Sequence, residues 1–112
     1  MPEGPETKRM VDSISKSLVG KEIISHRFYH EDLLHLNSKD QITIINALSK
    51  SKAIILRLDD GYSIISHNQL YGKWTFNLPK TVPKTNRQLR MEFITEKKAV
   101  RLWSATDISL YK

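Results

Sequence analysis

The period of the hydrophobic positions changes near residue 20. Between Pro5 and Val19 the apolar residues Met10, Val11, Ile14 and Leu18 fall at i, i+1, i+4 and i+8, one stripe of a helix. Pro5 suits a first turn, Glu6 the positive end of the helix dipole, and Gly20 the stop. From Lys21 onward the pattern turns β-like. Glu22–Tyr29 is short and β-rich, and the polar stretch His30–Asp40 predicts a loop with a small apolar patch at Leu33, Leu34 and Leu36. Gln41–Leu48 predicts a strand, weakened at its end by Asn46-Ala47. Ala53–Leu58 alternates, with Ile54, Leu56 and Leu58 on one face. Asp59-Asp60-Gly61 predicts a hairpin turn, and Tyr62–His67 the return strand. Lys73–Leu78 places Trp74, Phe76 and Leu78 on one side. Pro79–Asn86, with two prolines, predicts a mobile basic loop. Arg87–Thr95 turns Leu89, Met91 and Phe93 to the core, and Glu96-Lys97-Lys98 turns the chain into a last strand, Ala99–Ser104. One helix followed by many short strands with tight turns predicts an α+β, mostly β fold. Its architecture is a two-layer antiparallel β-sandwich, or the related barrel, with the N-terminal helix packed on it.

Composition narrows the class of function. At 112 residues and 39% hydrophobic, the chain suits one domain with a real core. Eighteen Lys and Arg against twelve Asp and Glu give a net charge of +6, and the first partner that suits a small basic domain is a nucleic acid. A merely soluble basic protein is the alternative. With no cysteine, neither a disulfide frame nor a Cys-ligated zinc site can form. His26, His30, His35 and His67 show no paired metal-ligand spacing. No apolar run approaches the ~18 residues of a membrane span, and no signal region opens the chain, so no membrane partner and a cytoplasmic (in a bacterium, nucleoid-associated) location are expected.

Three segments carry candidate chemistry. The chain opens Met1-Pro2-Glu3-Gly4-Pro5-Glu6. Removal of Met1 leaves Pro2 with a terminal secondary amine, and an α-amino group titrates near ~7.7–8.0, so part of it is unprotonated at neutral pH. Condensed with an aldehyde carbon, that amine gives a charged iminium, an electron sink for eliminations. Glu3 and Glu6 lie beside it as proton carriers. The same hexapeptide also reads as an ordinary helix start, and retention of Met1 makes the Pro2 nitrogen an amide. The second segment is Ser49-Lys50-Ser51-Lys52, whose lysines, flanked by small residues, suit either a phosphate or a solvated basic turn. The third is Ser66–Trp74, which presents Gln69, Leu70 and Tyr71 consecutively before Gly72. Bulky side chains at a polar loop tip suit a wedge that fills the gap left by a flipped base, or else fold back into the core.

Together these segments resemble the formamidopyrimidine-DNA glycosylase/endonuclease VIII (Fpg/Nei) family. The carriers are Pro2-Glu3-Gly4-Pro5-Glu6, a Lys in the Lys50–Lys52 turn, and His67-Asn68-Gln69-Leu70-Tyr71-Gly72. The contiguous Gln-Leu-Tyr triplet looks like the endonuclease VIII branch, which removes oxidised pyrimidines. Leu102-Trp103-Ser104-Ala105-Thr106-Asp107-Ile108 looks like the end of that family's N-terminal domain, so the resemblance spans essentially the whole chain.

The resemblance implies a base-excision-repair glycosylase and AP lyase acting on damaged double-stranded DNA. Pro2 attacks the sugar C1′, Glu3 is the general acid on the deoxyribose ring oxygen, and Glu6 positions water or shuttles a proton. Lys52 and His67 bind backbone phosphates, and Gln69, Leu70 and Tyr71 occupy the vacated stack. Successive β- and δ-elimination then cut the strand.

The match departs from the family in two ways. The family's second half, with a helix–two-turn–helix element and commonly a zinc finger, is absent, so residues 1–112 are expected to be a single N-terminal domain with no cofactor. Its partner is then the missing C-terminal domain, and the isolated chain is expected to be weak or inactive. In addition, Ser51 stands where the family typically has Gly before the conserved Lys, which leaves Lys50 able to substitute for Lys52. The rival function is a non-catalytic basic nucleic-acid-binding β-module, whose binding would be salt-dependent without covalent chemistry. A structural scaffold in a larger assembly would show neither property.

Overall fold

The computed structural model describes residues 5–39, 41–50, 53–67, 73–104 and 108–111, and the backbone alone of residues 5–7 and 32. The predicted helix is present as α1, Pro5–Leu18. Its stripe is buried at Val11, Ile14 and Leu18 and half-buried at Met10. Gly20 ends the helix in a left-handed conformation, φ 72°, that costs glycine no Cβ clash. Its N–H then donates to the Ile44 carbonyl (3.1 Å), beside a parallel bridge between Val19 and Ile44. These contacts lay α1 against the strand that begins at Ile44.

Eight strands follow: β1 (Ile23–Phe28), β2 (Ile44–Lys50), β3 (Ala53–Leu58), β4 (Ser63–His67), β5 (Lys73–Asn77), β6 (Leu89–Thr95), β7 (Ala99–Trp103) and β8 (Ile108–Tyr111). They form two four-stranded antiparallel sheets, ordered β2-β3-β4-β8 and β1-β6-β7-β5. This is the expected sandwich with a helix packed on it. Ile54, Leu56, Leu58 and Ile64 from the first sheet meet Phe28, Met91, Phe93, Val100 and Leu102 from the second, and Ile14 and Leu18 of α1 join the same cluster. Phe28 and Phe93 meet edge to face at 5.6 Å between centroids. Trimming Ile14, which has no exposed surface, to Val is expected to cost about 1 kcal/mol, read as a lower urea midpoint at unchanged slope.

The Asp59–Gly61 turn forms as predicted. Leu58 N–H donates to the Tyr62 carbonyl (2.8 Å), and Gly61 supplies φ 91°.

Elsewhere the structure corrects the pattern. The predicted His30–Asp40 loop contains a 3₁₀ helix, Glu31–Ser38, because Leu33 and Leu36 are spaced by that helix's period of three and both are buried. Leu34, between them, faces solvent. The strand expected over 41–48 starts at Ile44 and runs through Ser49-Lys50, so those two residues are strand and not turn. Leu78 lies past the end of β5 and is exposed, apart from Trp74 and Phe76. A strand with no sequence prediction, β8, closes the first sheet against β4.

The Asn37 carboxamide accepts from the Phe28 N–H and donates to the Phe28 carbonyl, both at 2.8 Å, along the outer side of β1. The connection from β5 to β6, expected to be mobile, is anchored instead. Arg101, only 1% exposed, reaches it from β7: Nη1 donates to the Thr81 carbonyl (2.9 Å), and Nε donates to Glu92 Oε2 (2.8 Å). Register places Arg101 between Thr75 and Glu92, on the face away from the core residues Leu102 and Val100. The connection is therefore a strap crossing the outer face of the second sheet.

Candidate functional site

Register sets the site's geometry. Lys50 pairs with Ala53, and Ala53 pairs with His67 on its other side. Directly opposed residues share a face, so Lys50 and His67 project together, two strand spacings or about 10 Å apart. Both are exposed, while Ala53 between them is buried. Lys50 and Ala53 are the last described pair of β2 and β3 at this end of the sheet, and residues 51 and 52 of the sequence's lysine turn lie outside the described residues. Glu6 sits in the first turn of α1. Pro2, Glu3, Lys52, Gln69, Leu70 and Tyr71 lie outside the described residues. The structure therefore brings together Lys50 and His67, and it frames the flanks of the others.

This end of the sandwich is also where the sheets are joined. Residues 68–72 link His67 to Lys73, and residues 104–107 link Trp103 to Ile108, which lies beside Ser66's strand. Ser104, at the start of the second link, holds φ 61°, a left-handed conformation that costs a non-glycine residue on the order of 1 kcal/mol. Its N–H donates to the Gln88 carbonyl (2.7 Å), fastening the link to the end of the strap. Such strain gathers at functional sites.

Lys73 and Arg90, which had no sequence-assigned role, reach this end too: Lys73 opens β5 opposite Trp103, and Trp103 faces Leu89 on β6, next to Arg90. A charge count could have found them. The thirty residues from Gly61 to Arg90 hold five Lys and Arg and no Asp or Glu, close to the whole chain's net +6. The opposite strand ends carry Asp59, Asp60 and Glu96.

Two open clefts lie elsewhere. One, about 430 Å³, is lined by His26, Arg27 and Tyr29 among others; the other, about 630 Å³, by Lys16, Lys21, Lys97 and Lys98 among others. Neither is lined by Lys50 or His67. Among the described residues no group of three His, Cys, Asp or Glu could hold a metal, and no helix is long and apolar enough to cross a membrane.

The family model of the formamidopyrimidine-DNA glycosylase N-terminal domain matches residues 1–106. Endonuclease 8 of Salmonella agona (strain SL483) is 34% identical over 111 residues, covering 98% of this chain and 42% of that protein. Endonuclease 8 of Salmonella newport (strain SL254) is 32% identical over the same coverage. The chain thus spans about two fifths of the length of the curated relatives it matches. In three dimensions it is similar to a Lactococcus lactis formamidopyrimidine-DNA glycosylase bound non-covalently to DNA containing an AP site. There the TM-score is 0.76 at 19% identity, over 98% of this chain and 45% of that one, a likeness of fold. The N-terminal helix, the two antiparallel sheets and the matched sequence agree: this chain belongs to the formamidopyrimidine-DNA glycosylase N-terminal domain family.

Proposed function

We propose that this domain supplies the nucleophile half of a bifunctional DNA glycosylase/AP lyase acting on oxidised bases, with pyrimidines the preferred class. The observation that carries the reading is the Pro2-Glu3 terminus, three residues ahead of α1, in a family domain whose opposite segments present Lys50 and His67 on one row. The Pro2 nitrogen bonds to C1′ of a flipped nucleotide as the bond from C1′ to the base breaks, and the base leaves with that electron pair. Glu3 protonates the ring oxygen, and opening of the ring yields the iminium. Loss of a proton from C2′ then expels the 3′ phosphate, and δ-elimination expels the 5′ phosphate. Glu6 holds water or relays protons. Lys52, or Lys50 in its place, and His67 hold phosphates flanking the lesion, which adds little selectivity but fixes register. Gln69, Leu70 and Tyr71 fill the emptied stack.

Residues 1–112 form one domain in this reading, and the other wall of the cleft comes from the remaining three fifths of a longer protein. The name Endonuclease 8 on the relatives supports the pyrimidine branch. Borohydride trapping on abasic-site DNA tests the proposal. The full-length protein is expected to give a covalent adduct mapping to the Pro2 nitrogen, and residues 1–112 alone a much weaker one. Salt-sensitive DNA binding with no adduct in either form would instead establish the non-catalytic module. Full turnover by residues 1–112 would remove the need for a second half.

A further inference from the structure

We propose that Arg90 and Lys73 form a second phosphate-binding pair, on the opposite sheet from Lys50 and His67, so that the DNA backbone is held by both layers of the sandwich. The inference rests on the DNA-processing reading above and extends its binding surface.

Three observations converge on Arg90. The register of β6 against β7 shifts between Leu89 and Met91, so Arg90 is the extra residue of a β-bulge. Bulges re-aim a side chain and are over-represented beside active sites. Second, the Arg90 Nε is buried and has no hydrogen-bond partner, and Arg90 takes part in neither ion pair found among the described residues. The residue as a whole is only partly buried, and among the described residues no carboxylate or carbonyl competes with an outside acceptor for its guanidinium. Arg101, the other arginine of this sheet with a buried Nε, has both a carboxylate and a carbonyl. Third, the Arg90 carbonyl accepts from Tyr29 N–H (2.8 Å), which pins the bulge backbone to the end of β1. The side chain is therefore displayed from a fixed point.

Lys73 complements it. It is exposed and stands across Trp103 from Leu89, two strand spacings or about 10 Å away. Both cations lie in the stretch 61–90 that holds no carboxylate, and at the sheet end joined to His67 by residues 68–72. A planar guanidinium fork and a point-charge ammonium, neither in an ion pair among the described residues, fit phosphodiester oxygens. An acidic protein segment would be bound by the same charges. The backbone of DNA is favoured because the pair shares one end of the sandwich with the Lys50–His67 row.

The test measures equilibrium binding of the full-length protein to a duplex with an uncleavable tetrahydrofuran abasic analogue, over a salt titration. Arg90→Gln and Lys73→Gln are each expected to lower the slope of log K against log[salt] by about 0.9, and the double variant by about 1.8. At 0.1 M salt each single change then weakens binding roughly eightfold. Arg90→Lys should keep the slope while losing part of the affinity, which a purely structural role for Arg90 would not produce. Wild-type slopes in both glutamine variants would overturn this inference alone, provided the parent protein binds the duplex. Absence of salt-dependent binding by the parent would overturn the DNA-processing reading with it.

Discussion

With one residue left ahead of Pro2, the borohydride-trapped adduct is expected to disappear and strand cleavage to fall by at least about 10³-fold. The extension turns the secondary amine into an amide, whose nitrogen lone pair is delocalised and cannot attack C1′. The remaining machinery is untouched: Lys50 and His67 stay in register at the sheet end, so DNA binding should change little. That separation of affinity from chemistry distinguishes loss of a nucleophile from loss of a fold. Glu3→Gln should act differently, slowing both base loss and ring opening by about 10²–10⁴-fold while an adduct still accumulates on preformed abasic sites. Gel-resolved trapping and single-turnover cleavage on the same duplex read both outcomes.

The second large effect concerns stability. Arg101→Ala is expected to cost about 3 kcal/mol in urea unfolding, because Glu92 then keeps a largely buried carboxylate without its cation and Thr81 loses its donor. Replacing both partners, Arg101→Met with Glu92→Leu, should recover most of that loss, since apolar residues of similar volume carry no desolvation penalty. The strap supplies an independent readout. Freed from Arg101, the connection between β5 and β6 should be cut by trypsin at Lys80 and Lys84 well before the strands are. If the single variant unfolds at the parent's urea midpoint, the Arg101–Glu92 pair contributes nothing to holding the strap.

Period-2 and helical patterning carried most of this architecture. Ile54/Leu56/Leu58 and Met91/Phe93 were legible because each strand buries one face, and the α1 stripe because Ile14 and Leu18 enter the same core. Leu89, expected on the core face with Met91 and Phe93, is only half-buried and outside the core because the register shifts between it and Met91. What escaped detection was non-local. The pairing of β1 with β6 and of β4 with β8 joins segments far apart in the chain, and nothing in either local pattern specifies the neighbour. Leu33 and Leu36 were legible as an apolar patch but not as a helix, because a 3₁₀ turn needs only two apolar residues. The strand predicted over Ala99–Ser104 gave Arg101 no role, and only the strap folding over it makes it a buried ion. The family was legible as motif, from Pro2 to Tyr71, because those segments join rare residue types in rare places. Arg90 was not, because a bulge is a property of two strands together and leaves no mark in one.

The two hydrogen bonds from Asn37 to Phe28 have a consequence for the protein's behaviour in crowded solution. β1 is an edge strand, and its outward N–H and C=O groups are a template on which another chain could add a strand. A side-chain carboxamide offers the same donor and acceptor as a peptide group, so Asn37 occupies the template at Phe28 as a one-residue decoy. Asn37→Leu would uncover that edge beside the exposed Tyr29, with self-association as the result. In the folded domain a single amide fills the place a neighbour's backbone would take.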